Sequence, residues 1–267
     1  MYYLFNKWDK LKAGLKGKSL FIFLDYDGTL TPIKNTPAEA KMSAEARKVL
    51  KRLAKKGRNK VAIISGRSLK DIKKIVGISG ILYVGNHGLE MEGPKITFKC
   101  PVTPAYIGIL GKIKRELAAG LSKIEGVIIE DKGLTLSVHF RQVKKKDELP
   151  VKTIFYNSVR PYIKKRAIRV TSGKKVFEVR PPLRWNKGNA VMWLLAHSTA
   201  LGAKRGTIPI YIGDDVTDED AFKALRKRGI TVFVGNAPLS KAKYYLEDSE
   251  EVIKFLKMIL FLEDKRI

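Results

Sequence analysis

The chain has 267 residues, 45% of them hydrophobic, and carries 53 lysines and arginines against 26 acidic residues, a formal charge of +27. Its single cysteine, Cys100, excludes an intrachain disulfide and a thiolate metal cluster, and no apolar run approaches the ~20 residues that cross a bilayer. Lysines interrupt the N-terminal stretch where a signal peptide needs an unbroken apolar segment, so a soluble, cytoplasmic protein is expected. So basic a chain attracts anions, whether nucleic acid, an acidic surface or a small phosphorylated molecule. The basic residues are spread over most predicted helices, as at Lys48, Lys51, Arg52, Lys55 and Lys56, which reads as solvated helix faces rather than one binding tail.

Residues before Ser19 read as a short amphipathic lead-in. Gly14, Gly17, Lys18 and Ser19 do not make a phosphate loop, because Lys12 stands where glycine is required and the fragment precedes a strand instead of following one. The apolar run 21–24 then predicts a strand covered on both faces, and it delivers Asp25 and Asp27 into a turn at Gly28. In open α/β sheets the chemistry collects at such strand ends. Two positions apart at one strand end, the carboxylates suit different tasks around one small group rather than the sharing of one proton. Asp-x-Asp-Gly is also an ordinary turn composition, and this fragment alone does not decide between the two.

Apolar spacing at Ala46, Val49, Leu50 and Leu53 predicts a helix over 43–56, capped by Gly57. A strand over 60–64 ends in Ser65-Gly66-Arg67, and Ser68-x-x-Asp71 resembles a capping box opening a helix with Leu69, Ile72, Ile75 and Val76 inward. The Ser65 hydroxyl and Gly66 amide suit a phosphate oxygen, or Ser65 simply caps. A further strand, 81–84, leads into Gly85-Asn86-His87-Gly88, where His87 is either a ligand or a loop residue; its spacing suggests no metal site.

From 101 to 180 the pattern changes to helix, two strands, helix, two strands: helices over 103–121 and 147–164, strands over 127–130, 134–141, 167–171 and 175–180, and turns at Asp131-Lys132-Gly133 and Ser172-Gly173. Two hairpins with helices on one face make an α+β layer unlike the strand-helix alternation on either side, so we expect an inserted domain between core segments 1–100 and 181–267. Lys187 then opens a helix. A cation in the first helical turn opposes the helix dipole, so an anion nearby is plausible beside the simpler solvated lysine. The strand 208–212 runs into Gly213-Asp-Asp-Val-Thr-Asp-Glu-Asp220. Asp218, Glu219 and Asp220 fit as dipole partners of the next helix, but adjacent Asp214 and Asp215 need a proton or a hard cation such as Mg²⁺ to relieve their repulsion. A strand over 231–234 and a terminal helix over 249–262 complete the α/β layer.

Taken together, the strand ends supply a carboxylate pair, a serine hydroxyl, a lysine and an acidic metal site, the inventory for phosphoryl transfer through an aspartyl-phosphate. Asp25-Tyr-Asp-Gly-Thr-Leu30, Ser65-Gly-Arg67, Lys187 and Gly213-Asp-Asp-Val-Thr-Asp218 resemble, in order and spacing, the four motifs of the haloacid dehalogenase superfamily. Within it, Gly85-Asn-His-Gly88, the stretch Glu130 to Arg141, Gly173 to Pro181 and Asp214 to Phe222 resemble the trehalose-6-phosphate phosphatase family. The resemblance implies a Rossmann-like parallel core with a smaller α+β cap, Asp25 as nucleophile and Asp27 as acid and base. It implies Mg²⁺ on Asp25, the Asp27 carbonyl and Asp214, with Asp215 and Asp218 behind them, and Ser65 and Lys187 on the phosphoryl oxygens. Sugar recognition would fall to Lys132, His139, Arg141 and Glu178 in the cap, with Arg67, Asn86 and His87 from the core; for Glu178 a salt bridge to a lysine is the plainer alternative. The partner implied is a small sugar phosphate, either trehalose 6-phosphate or, with the same catalytic residues, sucrose phosphate or mannosyl-phosphoglycerate. A basic binding protein without turnover is the remaining class; the intact Asp25 and Asp27, and the lack of an aromatic-interleaved basic stripe, argue against it and against nucleic acid.

Overall fold

A computed structural model describes residues 1–264 except Asn35, Lys56, Ala237 and Pro238, so the predicted end of the second helix at Lys56 lies outside the described residues. The chain divides into two compact units, Met1–Lys99 with Trp185–Ile267, and Cys100–Arg184.

The first unit contains β1 (Tyr2–Tyr3), α1 (Trp8–Leu15), β2 (Leu20–Leu24), α2 (Ala44–Lys55), β3 (Lys60–Ile64), α3 (Leu69–Val76), β4 (Leu82–Gly85), β5 (Glu90–Gly93) and β6 (Ile96–Lys99). The second contains α4 (Pro104–Leu121), β7 (Ile128–Asp131), β8 (Leu136–His139), α5 (Glu148–Lys164), β9 (Arg169–Gly173) and β10 (Val176–Arg180). The chain returns to the first unit with α6 (Lys187–Ala196), β11 (Ile208–Gly213), α7 (Glu219–Leu225), β12 (Ile230–Val234), β13 (Tyr244–Leu246) and α8 (Ser249–Asp264).

In the first unit the sheet order is β1-β13-β12-β11-β2-β3-β4-β5-β6, parallel from β1 to β4 and antiparallel beyond. Strand β2 is buried at every position because alternate residues feed two cores. Leu20, Ile22 and Leu24 pack with α1, α2, α3 and α8, whereas Phe21 and Phe23 pack with α6 and α7. The chain leaves β2 toward β3 and β4 on one side and later returns through β11 on the other, so β2 and β11 flank a switch point where side chains beyond the strand ends share one crevice.

Four strands lie beyond the sequence expectations. The β5-β6 hairpin extends the sheet where Leu89-Glu-Met-Glu92 and Ile96-Thr-Phe-Lys99 alternate around Gly93-Pro94, a signal the sequence reading passed over, and β1 and β13 are too short to carry a period, being held by pairing with each other and with β12. Among the described residues no helix is long and apolar enough to cross a membrane.

The second unit is an antiparallel sheet, β7-β8-β10-β9. Leu136, Val138, Phe177 and Val179 pack one face onto Tyr106, Leu110, Ile113 and Leu117 of α4 and Val151, Phe155 and Val159 of α5. Strand β9 continues through the expected turn at Ser172-Gly173, because Gly173 pairs with Val176, and Lys175 takes the left-handed conformation in the turn. Arg169 donates to the Leu183 carbonyl at 3.0 Å and ties the segment after β10 to this unit.

All three tryptophans, Trp8, Trp185 and Trp193, lie in the first unit. Phe155 is fully buried in the second and stacks on Phe177. Phe155→Ala is expected to cost about 3–5 kcal/mol, and denaturant unfolding followed by circular dichroism should begin before the change in tryptophan fluorescence.

Candidate active site

The carboxyl ends of β11, β2, β3 and β4 bring Asp214, Asp25, Ser65 and Asn86 to one edge of the first unit. Asp25 is buried, and its amide continues the ladder by donating to the Ile212 carbonyl at 2.9 Å. Lys187, the first residue of α6, is also buried and donates to Asp25 Oδ1 at 2.8 Å and to Asp218 Oδ1 at 2.7 Å. The anion inferred from a lysine opposing the helix dipole is therefore present twice, and Lys187 is not a solvated surface residue.

Asp218 is likewise not a surface dipole partner. It is fully buried; Tyr211 donates to its Oδ1 at 2.6 Å, and the amides of Asp214 and Asp215 donate to its Oδ2 at 3.1 and 3.0 Å. Gly213 is needed here because a Cβ would meet the Asp218 Cγ at 2.3 Å. Asp214 accepts from the Thr29 hydroxyl at 3.2 Å and rests against Gly28, which has φ +91° and where a Cβ would come within 2.1 Å of the Asp214 carboxylate. Asp215 turns away, accepting from Thr217 Oγ1 at 3.4 Å and capping the short turn that follows.

Strand alternation alone would leave Asp25 and Asp27, two residues apart, on one side; β2 ends at Leu24, and the turn beyond it carries Asp27 to the loop after β3. Arg67 grips it with both arms, Nη2 to Oδ1 at 2.6 Å and Nε to Oδ2 at 2.7 Å, and sends Nη1 to Asp71 Oδ2 at 2.9 Å. Ser68, not Ser65, caps α3, by accepting the Asp71 amide; the Ser65 hydroxyl accepts the Arg67 amide at 3.1 Å. Asn86 and His87 both adopt left-handed backbone (φ 49° and 54°), a conformation that is costly for histidine. Their amides donate to the carbonyls of Arg67 and Ser65 at 2.7 and 3.0 Å, which locks the two loops together.

In the second unit, the sheet face away from the helices carries a polar cluster. Glu178 Oε1 accepts from Lys132 Nζ at 3.0 Å, Thr135 Oγ1 at 3.2 Å and Ser137 Oγ at 3.3 Å. His139 Nε2 lies 2.8 Å from Glu130 Oε2, and Lys132 is 3.9 Å from the same oxygen. Lys132, His139 and Glu178 thus belong to one network, with Glu130 as a member the site reading omitted, whereas Arg141 donates to the Lys174 carbonyl at 3.3 Å. The lysine salt bridge offered as the plainer reading of Glu178 does exist.

With this geometry in hand, comparison with known proteins decides the family. Residues 23–250 match the family model described as trehalose-phosphatase. The chain belongs to the trehalose-phosphatase family. Trehalose-phosphate phosphatase B of Arabidopsis thaliana is 35% identical over 98% of this chain and 72% of its own length, and the probable trehalose-phosphate phosphatase 4 of Oryza sativa subsp. japonica is 35% identical over 94% and 68%. The C-terminal domain of the C. albicans trehalose-6-phosphate phosphatase aligns with TM-score 0.77 at 27% identity, over 94% of this chain and 95% of that one. The protein is thus a phosphatase with a haloacid dehalogenase-type α/β core.

Phosphatases of this superfamily use a divalent metal, and the trehalose-phosphatase core fits one. Ligand atoms of Asp25, Asp214 and Asp218 all lie within 4.8 Å of one another, and one ammonium bonds two of the three carboxylates. Asp218 has its oxygens committed to Lys187, Tyr211 and two amides. Among the described residues, each of Asp25 and Asp214 has an oxygen without a donor, which leaves them the better ligands. Burial raises the Asp25 carboxyl well above the usual range against the pull of Lys187, and Asp218 and Asp214 raise it further. Burial, then Asp218, raises Asp214 to about 7. For Lys187 burial acts downward, but Asp218 and Asp25 outweigh it and hold the ammonium above its ordinary value.

Tyr211 was absent from the sequence reading of the site. A tyrosine on a buried strand needs a hydroxyl partner, and Tyr211 stands three positions before Asp214, so that signal was available.

A carboxyl raised in the folded state adds stability while protonated. Its contribution is complete below the ordinary value of 3.8 and is lost as pH rises through the folded value, about 7 for Asp214. Raised Lys187 loses its contribution only in the alkaline range. Without divalent metal, Tm should therefore fall from about pH 5 to about pH 8; Mg²⁺ should raise Tm more at the higher pH, and Asp214→Asn should flatten both trends in a thermal melt.

Proposed function

We propose that this phosphatase hydrolyses trehalose 6-phosphate to trehalose and phosphate through an aspartyl-phosphate at Asp25. The observation that carries the reading is the buried Lys187 ammonium shared between Asp25 and Asp218, with Asp214 beside them at the carboxyl edge of the sheet. The names of the plant and fungal relatives supply the substrate.

In the first half-reaction an Asp25 carboxylate oxygen forms a bond to phosphorus, the bond from phosphorus to the sugar oxygen breaks, and a proton passes from Asp27 to that oxygen. A sugar alkoxide is a poor leaving group, so a positioned acid accelerates this step by roughly 10²–10⁴-fold. In the second, a water oxygen bonds to phosphorus, its proton goes to Asp27, and the acyl-phosphate bond breaks to restore Asp25. Lys187, Ser65 and the Gly66 amide bind phosphoryl oxygens as charge shifts onto them. Mg²⁺, held by Asp25, the Asp27 carbonyl and Asp214, supplies charge neutralisation when bound. Asp218 and Asp215 support that set, and through the Asp218 contact Lys187 is kept charged.

The polar face of the second unit recognises the sugar. Glu178, held by Lys132, Thr135 and Ser137, presents a fixed carboxylate to hydroxyls, with His139 and Arg141 on the same hairpins.

The test is phosphate release with Mg²⁺ across trehalose 6-phosphate, sucrose 6-phosphate, mannosyl-phosphoglycerate and glucose 6-phosphate. We expect marked preference for the first, no turnover in Asp25→Asn, and about a tenfold higher KM for trehalose 6-phosphate in Glu178→Gln. Preference for another ester would discard the sugar assignment and keep the chemistry; no metal-dependent turnover of any would discard both.

A further inference from the structure

The acid assigned to Asp27 has both oxygens occupied by one guanidinium, at 2.6 and 2.7 Å. A carboxyl that gives its proton to a leaving oxygen must turn one of its own oxygens toward that atom, and an oxygen facing an arginine N–H cannot carry the proton being delivered. The Arg67 side chain is 7% exposed, against 41% for Asp27 and 37% for Asp71. Withdrawing Asp27 from a buried cation would strand that charge unless another anion stays in contact.

Asp71 is that anion. Arg67 Nη1 donates to Asp71 Oδ2 at 2.9 Å, independently of the two arms on Asp27. Asp71 is also fixed from behind: it sits in the first turn of α3, its amide donates to Ser68 Oγ at 3.1 Å, and the helix N-terminus favours its charge. Arg67 lies over the Tyr26 ring, 5.4 Å from its centroid, and its backbone carbonyl accepts the Asn86 amide, so the arginine is held from several sides. Asp27 lies in the turn after β2 and is 41% exposed; Asp71 is anchored in the first turn of α3.

We propose that Asp71 is a positioning residue for the acid step: it keeps Arg67 in place and charge-compensated, so that Asp27 can exchange one arm of the guanidinium for the leaving oxygen. Arg67 then serves the acid rather than the sugar. The inference rests on the acid-base role of Asp27 proposed above.

Leaving groups separate this role from a merely structural one. p-Nitrophenolate departs without a proton, whereas a sugar alkoxide needs one. In single-turnover measurements, Asp71→Asn should slow trehalose release from trehalose 6-phosphate by about 10- to 100-fold, a part of the full acid effect, with KM within about twofold. The pre-steady-state burst of p-nitrophenolate from p-nitrophenyl phosphate should slow far less. In an Asp27→Asn background, adding Asp71→Asn should change the sugar-ester rate less than about twofold, because the two act as one unit. Equal slowing of both esters, no slowing of either, or additive losses in the double variant would overturn the proposal. If Asp27→Asn itself slows both esters alike, the acid assignment fails and this inference falls with it; a leaving-group effect in Asp27→Asn but not in Asp71→Asn sinks the inference alone. Should Asp71→Asn fail to fold, Arg67→Lys, which cannot span both carboxylates, must give the same leaving-group pattern or the proposal is wrong.

Discussion

One buried ammonium organises this phosphatase. Lys187 lies between Asp25 at the end of β2 and Asp218 below the end of β11, and both contacts are direct. A lysine this deep is stable only with anions against it, and anions this deep are stable only with cations. Burial first, and then the negative charge that three neighbouring carboxylates leave uncompensated beside one lysine, push Asp25 and Asp214 upward, which is why a divalent cation belongs beside them. The fold serves this arrangement. Parallel pairing of β11, β2 and β3 puts the strand ends level, and the glycines at 28 and 213 make room for carboxylates that a Cβ would displace.

The end of β2 and the turn that follows it divide the chemistry. On one side lies the dry, over-acidic pocket of Asp25, Asp214 and Asp218 with its lysine. On the other, Asp27 is more exposed and faces the Arg67 guanidinium. A nucleophile and an acid-base group need such different surroundings, and the turn that begins after Leu24 supplies them two residues apart. The second unit repeats the division in its own sheet, with an apolar face on α4 and α5 and a polar face bearing Glu178 and Glu130.

Much of this was legible in the sequence, for identifiable reasons. Strand β3 was bounded correctly because its apolar run stops at Ser65-Gly66, and Lys187 announced its anions by opposing a helix dipole. The signals for Asp218 were misleading by contrast: acids at a helix start explain themselves, and only the folded chain reveals that this one turns inward to Lys187 and Tyr211. Asp71 was read as a cap residue alone, since its contact with Arg67 depends on a side-chain rotamer that no spacing encodes. The two-residue β1 was invisible because tertiary pairing, not local pattern, creates it, whereas the β5-β6 hairpin was legible as alternation at 89–92 and 96–99 and was passed over. The charge of +27 has no structural explanation here beyond the attraction of anions.

The central claim is that the phosphoryl group passes through Asp25. The direct measurement is to quench the enzyme in acid during turnover of trehalose 6-phosphate, reduce with borohydride and map the peptide spanning β2 by mass spectrometry. An acyl-phosphate at Asp25 is reduced to the alcohol, so the account predicts a homoserine side chain there, dependent on substrate and on divalent metal. Phosphate release with an unmodified Asp25, or modification confined to another carboxylate, would contradict it.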